Sequence, residues 1–305
     1  QSSAASDVYK RQIIYLYELT DFFMRTILLF FTLLGLKTGI RVVVLLSKIF
    51  MPIIKKTDLY KVTISNIKIA FSERNHSFHS NLANESICNS LASFYETLYV
   101  WSRGPETSEQ HIKKIKNRYL FDFNRQQPQL LFSFHNRSID FLLSWIIVKK
   151  PCFTMYTKFK NRFINDYVVK FRSFNHSSPV EANLSGVKQM LIHLKENGTV
   201  NIAADQVPKD GLGQYSTFFG QKCYSTNIVS TLSKRININP TLIFLSKGEV
   251  GYEIIFKSTT SDILGVDGAN IMHQIFEHEI LNKPEEYAWE YKKYRKVKEN
   301  SNIYK

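Results

Sequence analysis

Hydrophobic positions in this chain fall into two regimes. Near the N-terminus they run together. Residues 22–36 read FFMRTILLFFTLLGL, with Arg25 as the one charge, and after a break at Lys37-Thr38-Gly39 the run resumes over residues 40–54 with Arg41 and Lys48. From Lys55 onward they are spaced. Ile87, Leu91, Phe94, Tyr95 and Leu98 repeat with helical period inside residues 86–101, and Arg103-Gly104-Pro105 stops the stretch. Residues 129–134 (QLLFSF) form a short apolar block after Pro128, which predicts a buried strand. A helix is expected over 138–148, stopped by Lys149-Lys150-Pro151, then a strand over 152–156. Leu184, Val187, Met190, Leu191 and Leu194 predict another helix, closed by Asn197-Gly198, and 199–203 (TVNIA) a strand after it. Further strands are expected over 240–245 and 252–256 and a helix over 271–281, while the basic tail after Lys292 reads as solvated. Strands alternating with helices indicate an α/β fold: a single, mostly parallel central sheet flanked by helices, preceded by an N-terminal membrane-associated helix.

The domain reading follows from these regimes. Residues 1–12 lack periodicity and read as a non-native lead; 13–54 form a membrane-associated helical segment; 55–296 form one catalytic-sized domain; 297–305 are a polar tail. A helix that crosses a bilayer needs about 20 apolar residues, and the first run supplies 15, or more with 13–19. Two readings fit: a helical hairpin buried in a globular core, or one helix that inserts in or dips into the bilayer. The second is preferred, because Arg25, Lys37 and Arg41 sit where side chains snorkel to headgroups. Those cations favour the cytoplasmic side for the domain that follows.

Composition narrows the function classes. The 23 Phe and 16 Tyr exclude wholesale disorder, and 12 Gly with 8 Pro exclude collagen-like or low-complexity chains. Three scattered cysteines, with no C-x-x-C, exclude a zinc ribbon and a thioredoxin motif. A net charge of +14 calls for an anionic partner: nucleic acid, an anionic membrane surface, or an acidic or phosphorylated substrate.

Candidate chemistry sits where strands end, the position at which open α/β sheets bind ligands. His135 closes the strand 129–134, and Asp140 follows in HNRSID, in the first turn of the next helix. Such a pair can act as a base and its orienting carboxylate. The spacing alone is weak; a second match, His176 and Glu181, straddles Pro179 and reads as a loop. Asp205-Gln206 follows the strand 199–203 in the same way, although Asp and Gly there also suit a plain turn. The stretch 158–172 carries Lys158, Lys160, Arg162, Lys170 and Arg172 against Asp166, enough to bind phosphate or an oxyanion, or to form a solvated basic face. Residues 283–296 interleave aromatics with cations. There is no G-x-S-x-G elbow, no P-loop and no G-x-G-x-x-G. His273 and His278 have the wrong phase for a helix-face metal pair, and His76 and His79 lie in a polar stretch, so neither metal nor cofactor is expected.

Taken in order, these blocks resemble the late acyltransferases of lipid A biosynthesis, the lauroyl and myristoyl transferases related to the lysophospholipid acyltransferases. The resemblance rests on the apolar N-terminus, NIKIAFSE at Asn66 to Glu73, the His135 motif, Asp205-Gln206, Phe218-Phe219-Gly220, and P-E-x-Y-x-W at Pro284 to Trp289. It implies transfer of an acyl chain from an acyl carrier protein thioester to a hydroxyl of a phosphorylated glycolipid, at the cytoplasmic face of the bacterial inner membrane, with no nucleic acid involved. His135 would be the general base with Asp140 its partner, no covalent acyl-enzyme would form, and Asp205 with Gln206 would face substrate. The family has an Arg beyond Tyr156, where this chain has Thr157, which leaves Lys158 or Arg162 as the oxyanion or phosphate cation. The family also favours Glu at Asp140, so a lysophospholipid or an amino-acid lipid stays open as acceptor, as does a non-catalytic basic membrane-binding role.

Overall fold

In the computed structural model, which describes Thr26, residues 33–124 and residues 126–305, the spaced hydrophobic positions become helices layered on both faces of one sheet. The lead and most of the first apolar run lie outside the described residues. The sheet has seven strands: β1 (Ile112–Lys116), β2 (Gln129–Ser133), β3 (Cys152–Tyr156), β4 (Ser178–Glu181), β5 (Thr199–Ala203), β8 (Thr241–Lys247) and β9 (Tyr252–Lys257). Their order is β1-β9-β8-β2-β5-β3-β4. All neighbours run parallel except β8 and β9, which pair antiparallel through a short turn. Strands β6 (Gly213–Phe218) and β7 (Gln221–Thr226) form a separate antiparallel hairpin.

The central strands show why the run QLLFSF is apolar at every second position and its neighbour alike. Leu130, Phe132 and Phe134 enter one core with Val200, Ile202, Leu242 and Phe244, while Leu131 enters the other with Ile243 and Leu245. A strand buried on both faces has no solvent side to keep polar. The first core is closed by α6 (Leu184–Lys195), α7 (Ile228–Ile236) and α8 (Gly268–Asn282), through Met190, Leu194, Leu232 and Phe276. The second is closed by α4 (Ile139–Lys149), whose Phe141, Trp145 and Ile146 are buried. The long α3 (His76–Arg103) touches both cores, with Ile87 in the first and Tyr95 and Tyr99 in the second.

The second apolar run behaves differently from the expectation. α1 (Leu36–Ile54) passes without interruption through Lys37-Thr38-Gly39. Gly39 is there for contact: a Cβ on it would sit 1.9 Å from the Tyr95 ring of α3, so only glycine lets the helices approach. The Tyr95 hydroxyl donates to the Leu34 carbonyl at 2.8 Å, pinning the helix start. No described helix is long and apolar enough to cross a membrane.

Three further elements correct the sequence reading. The segment around Pro179 is the edge strand β4, paired with β3, where a proline without an N–H is tolerated. The basic stretch 158–172 contains a helix, α5 (Arg162–Arg172), capped by Asn161, whose side chain accepts from Ile164 N. The tail after Lys292 is not solvated: Lys293, Tyr294, Val297 and Asn300 are all buried. Tyr294 is buried because its hydroxyl has a partner, the Phe218 carbonyl at 3.0 Å. The helix α2 (Asp58–Ala70) packs against α3.

Candidate active site

Strand register brings the first two residues of the site together. β2 and β5 are parallel neighbours, with Gln129 opposite Thr199 and Ser133 opposite Ala203. The pairing continues one step further, since Ala204 N donates to the Ser133 carbonyl at 2.8 Å. His135 and Asp205 lie two residues beyond their strands, side by side. Asp205 Oδ1 lies 2.7 Å from His135 Nδ1, and Asp205 Oδ2 accepts from the His135 backbone N–H at 3.1 Å. The imidazole is therefore held at ring and main chain by one carboxylate. At the far side of the ring, Gln206 Nε2 lies 3.1 Å from His135 Nε2. An Nδ1–H donor to Asp205 and an Nε2 acceptor from the Gln206 amide make a consistent neutral tautomer.

The turn that carries His135 is locked from below. Asn136 donates to the Leu245 carbonyl at 2.7 Å, and the Ala288 N–H donates to the His135 carbonyl at 3.0 Å. Arg137 adopts a left-handed backbone, φ 60°, uncommon for a side chain of this size. It is held there by buried contacts: its guanidinium pairs with Glu96 and donates to Asn89 Oδ1 at 2.8 Å. Glu96 also accepts from the Tyr252 hydroxyl at 2.7 Å. Ser138 then caps α4, accepting from Phe141 N at 3.1 Å.

The pairing of His135 with Asp140 expected from sequence is not the one formed. Asp140 is in the first turn of α4 as anticipated, but its Oδ1 accepts from Arg172 Nε at 2.8 Å. Among the described residues, the imidazole's own bonds go to Asp205 and Gln206. The reason is geometric: parallel register places Asp205 directly under Nδ1, whereas α4 presents Asp140 toward the C-terminal end of α5. Asp205 was expected to face substrate; it is instead buried beneath the ring, and Gln206 is the exposed member of the two. Lys158 and Arg162 lie on the exposed surface, and Arg162 is 3.6 Å from Asp166. Of the cations in this stretch, the one whose charge bears on His135 is its last residue, Arg172.

Electrostatics follow from this arrangement. Burial opposes a charged imidazole, but the Asp205 carboxylate and its hydrogen bond outweigh that and hold His135 above the usual histidine range; Glu290 adds to this and Arg172 opposes it. Burial likewise opposes the Asp205 anion, and His135 with Lys293 outweighs it, so the Asp205 carboxyl lies below its ordinary value. Glu290, which accepts from Ser90 Oγ at 2.9 Å, is pushed up by burial. A base with a buried carboxylate on one nitrogen and an open-sided second nitrogen can take a proton from a hydroxyl.

Beside the site, on the Gln206 side, lies a cavity of about 800 Å³ bounded by Gln206, the loop that follows it, α6 and α7. Met155, Val187, Leu191, Val207 and Ile228 give it an apolar lining, and Lys188, Lys209, Arg235, Arg295 and Lys296 supply cations. The remaining sequence blocks build support. Asn66 donates to the Trp289 and Tyr291 carbonyls at 2.6 and 2.9 Å. Phe71, Phe219 and Trp289 cluster, with ring centres 6.4 Å apart for Phe71–Phe219 and 5.5 Å for Phe219–Trp289. Phe219 sits at the β6–β7 turn with φ 49°, next to Gly220 at φ 71°, a turn that favours glycine at its second place. No sequence spacing signalled Arg172 individually, because its role depends on α5 folding back against α4.

A family model described as bacterial lipid A biosynthesis acyltransferase matches residues 9–296. No curated protein matches the chain.

Proposed function

The chain belongs to the bacterial lipid A biosynthesis acyltransferase family, and from that premise we propose that it moves a fatty acyl chain from an acyl carrier protein thioester to a hydroxyl of a phosphorylated glucosamine lipid, with His135 as general base. The protein is an enzyme of acyl transfer, and its family acts on acyl donors and lipid acceptors. The observation that carries the mechanism is the line Asp205–His135–Gln206, with Nδ1 occupied and Nε2 facing the exposed side.

In this reading the acceptor hydroxyl replaces the Gln206 amide at Nε2. His135 takes its proton as the oxygen attacks the thioester carbonyl carbon, and the carbonyl electron pair moves onto oxygen. The proposal assigns that negative charge to Arg172, which Asp140 holds in place. The tetrahedral intermediate collapses, the carbon–sulfur bond breaks, and the imidazolium returns the proton to the leaving thiolate. The products are an ester and a free thiol, and no side chain is acylated. Asp205 holds the tautomer and stabilises the imidazolium between the two proton transfers. The apolar cavity beside Gln206 suits an alkyl chain, and the cations around it suit phosphate or an acidic carrier protein.

Membrane docking at the cytoplasmic face of the bacterial inner membrane belongs to the same proposal. α1 exposes Leu45, Ile49, Phe50 and Ile53 on one side, while Gly39 and Met51 face the domain. An apolar helix face of this kind lies in a bilayer interface rather than crossing it.

The test is intact-mass analysis of lipids after incubating the protein in membranes with acyl carrier protein thioesters and a tetra-acylated lipid A precursor. A gain of one acyl chain, lost in His135→Ala, is expected. A gain on a lysophospholipid or an amino-acid lipid alone would reassign the acceptor, and full activity in His135→Ala would remove the mechanism.

A further inference from the structure

The tail that the sequence presents as solvated places a lysine inside the protein. Lys293 is 3% exposed. An ammonium has three N–H donors and no acceptor, and each donor here has one partner. Lys293 Nζ donates to the Asp205 carbonyl oxygen at 2.5 Å, to Ser225 Oγ at 3.1 Å and to His273 Nε2 at 3.1 Å. His273 is a neutral acceptor for this purpose: its Nδ1 lies 2.7 Å from the Thr217 carbonyl, which fixes the N–H there and leaves Nε2 free to accept. Burial and the neighbouring Lys293 charge keep its imidazole well below the usual histidine range. Ser225 Oγ lies 2.9 Å from the same Nε2. Three separate segments, the end of β5, β7 and α8, thus meet on one ammonium from the C-terminal tail, and through it the tail grips the main chain of the residue that holds His135.

We propose that Lys293 is a positioning residue for acyl transfer: it clamps the main chain of Asp205 where the chain leaves β5, and sets a buried positive charge beside the Asp205 carboxylate that His135 leans on. The inference rests on the reading of His135 as general base. Two physical consequences follow. Asp205 has left the sheet, so no strand neighbour fixes its carbonyl; the ammonium supplies that anchor, and a shift of about 1 Å at such a position can cost 10²-fold in rate. The Lys293 charge also offsets part of the Asp205 field. Without it Asp205 would favour the imidazolium more strongly, and more of His135 would be protonated, hence inactive as a base, at a given pH.

The groups facing this assembly from every side enter the test. Around His135 stand Asp205, Glu290 and Arg172; around Asp205 stand His135, Lys293 and the Tyr287 hydroxyl; around Lys293 stand Cys223, Asp205, His273 and Arg295. Of these, Lys293→Met removes only the buried ammonium, and Lys293→Arg retains the charge.

Two readouts separate this inference from the reaction itself. The first is the rate of diethyl pyrocarbonate modification of His135 against pH, read by peptide mass, which reports the fraction of neutral imidazole without any substrate. Lys293→Met is expected to move its midpoint upward by about 0.5 pH or more, and Lys293→Arg to restore it. The second is steady-state acyl transfer with acyl carrier protein thioester and the lipid A precursor: kcat is expected to fall at least about tenfold in Lys293→Met with KM for the thioester little changed. Should Lys293→Met fail to fold, Lys293→Gln, which keeps two N–H donors and no charge, gives the same comparison. A His135 midpoint unchanged in the neutral variant would overturn the proposal and leave Lys293 a stability residue. A midpoint that shifts as expected in a protein with no acyl transfer on these substrates would uphold the coupling and count against the proposed reaction alone.

Discussion

His135 and Asp205 are separated by 70 positions in sequence, the same offset that pairs Gln129 with Thr199 and every other residue of β2 with β5. Their contact is an extension of strand register beyond the last ladder residue. Asp205→Asn should therefore keep the fold and lose the reaction. The amide cannot hold the Nδ1–H tautomer or stabilise the imidazolium, and kcat should fall by about 10³–10⁴-fold. Thermal denaturation beside single-turnover rates checks both halves; a loss of less than tenfold would reassign the partner of His135.

The acid limb of kcat/KM should lie above about pH 6.5, the ordinary histidine value. The neutral imidazole is the active form, and Asp205 holds its proton more tightly than water does, so activity rises as pH climbs through the raised value. In Asp205→Asn the residual activity should show its acid limb at lower pH. A pH–rate series on both proteins decides it.

The same pair couples to stability with opposite signs. Asp205 is depressed, so its contribution is present above the ordinary carboxyl value of about 4 and is lost as pH falls through the folded value. His135 is raised, so its contribution is present below about 6.5 and is lost as pH rises through the folded value. Urea denaturation should show Asp205→Asn more destabilised at about pH 5.5 than at about pH 9. Equal losses at both would show that the pair contributes nothing beyond packing.

Arg172→Met should lower kcat by about 10²–10³-fold with a small change in KM, since the proposed reaction assigns the oxyanion to its charge. Lys158→Ala and Arg162→Ala, on the exposed surface, should stay within about twofold. Steady-state comparison of the three variants distinguishes the buried cation from the exposed ones.

Glu96→Leu should destabilise the protein by about 3–5 kcal/mol, since it strands the Arg137 guanidinium inside the protein. Chemical denaturation measures it. The same substitution releases the strained backbone at Arg137, two residues from His135, so activity should fall along with stability.

Ile49→Glu with Ile53→Glu should abolish sedimentation with vesicles containing anionic lipid, without loss of fold, because both side chains project from the exposed side of α1. Unchanged sedimentation would move the docking surface off this helix.

The sequence by itself determined the class of fold and most of the central strands, and it put a lone histidine at the end of one of them. An apolar block such as QLLFSF, ending in a lone histidine before a capped helix, is a local pattern, and local patterns follow from side-chain period and turn chemistry. Ordered blocks also carried the family. Tertiary structure decided what each block touches. Asp205 rather than Asp140 became the partner of His135 because parallel register joins residues 70 apart. Arg172, unlike Lys158 and Arg162, is buried because α5 folds back onto α4 and meets Asp140 there. Lys293, one cation in a basic tail, is buried because three acceptors from three segments happen to converge on it. Periodicity reports which side of an element is apolar; it does not report which distant polar group waits at the end of it. The pairings between charged side chains are set by topology and register, and those exist only once the chain has closed on itself.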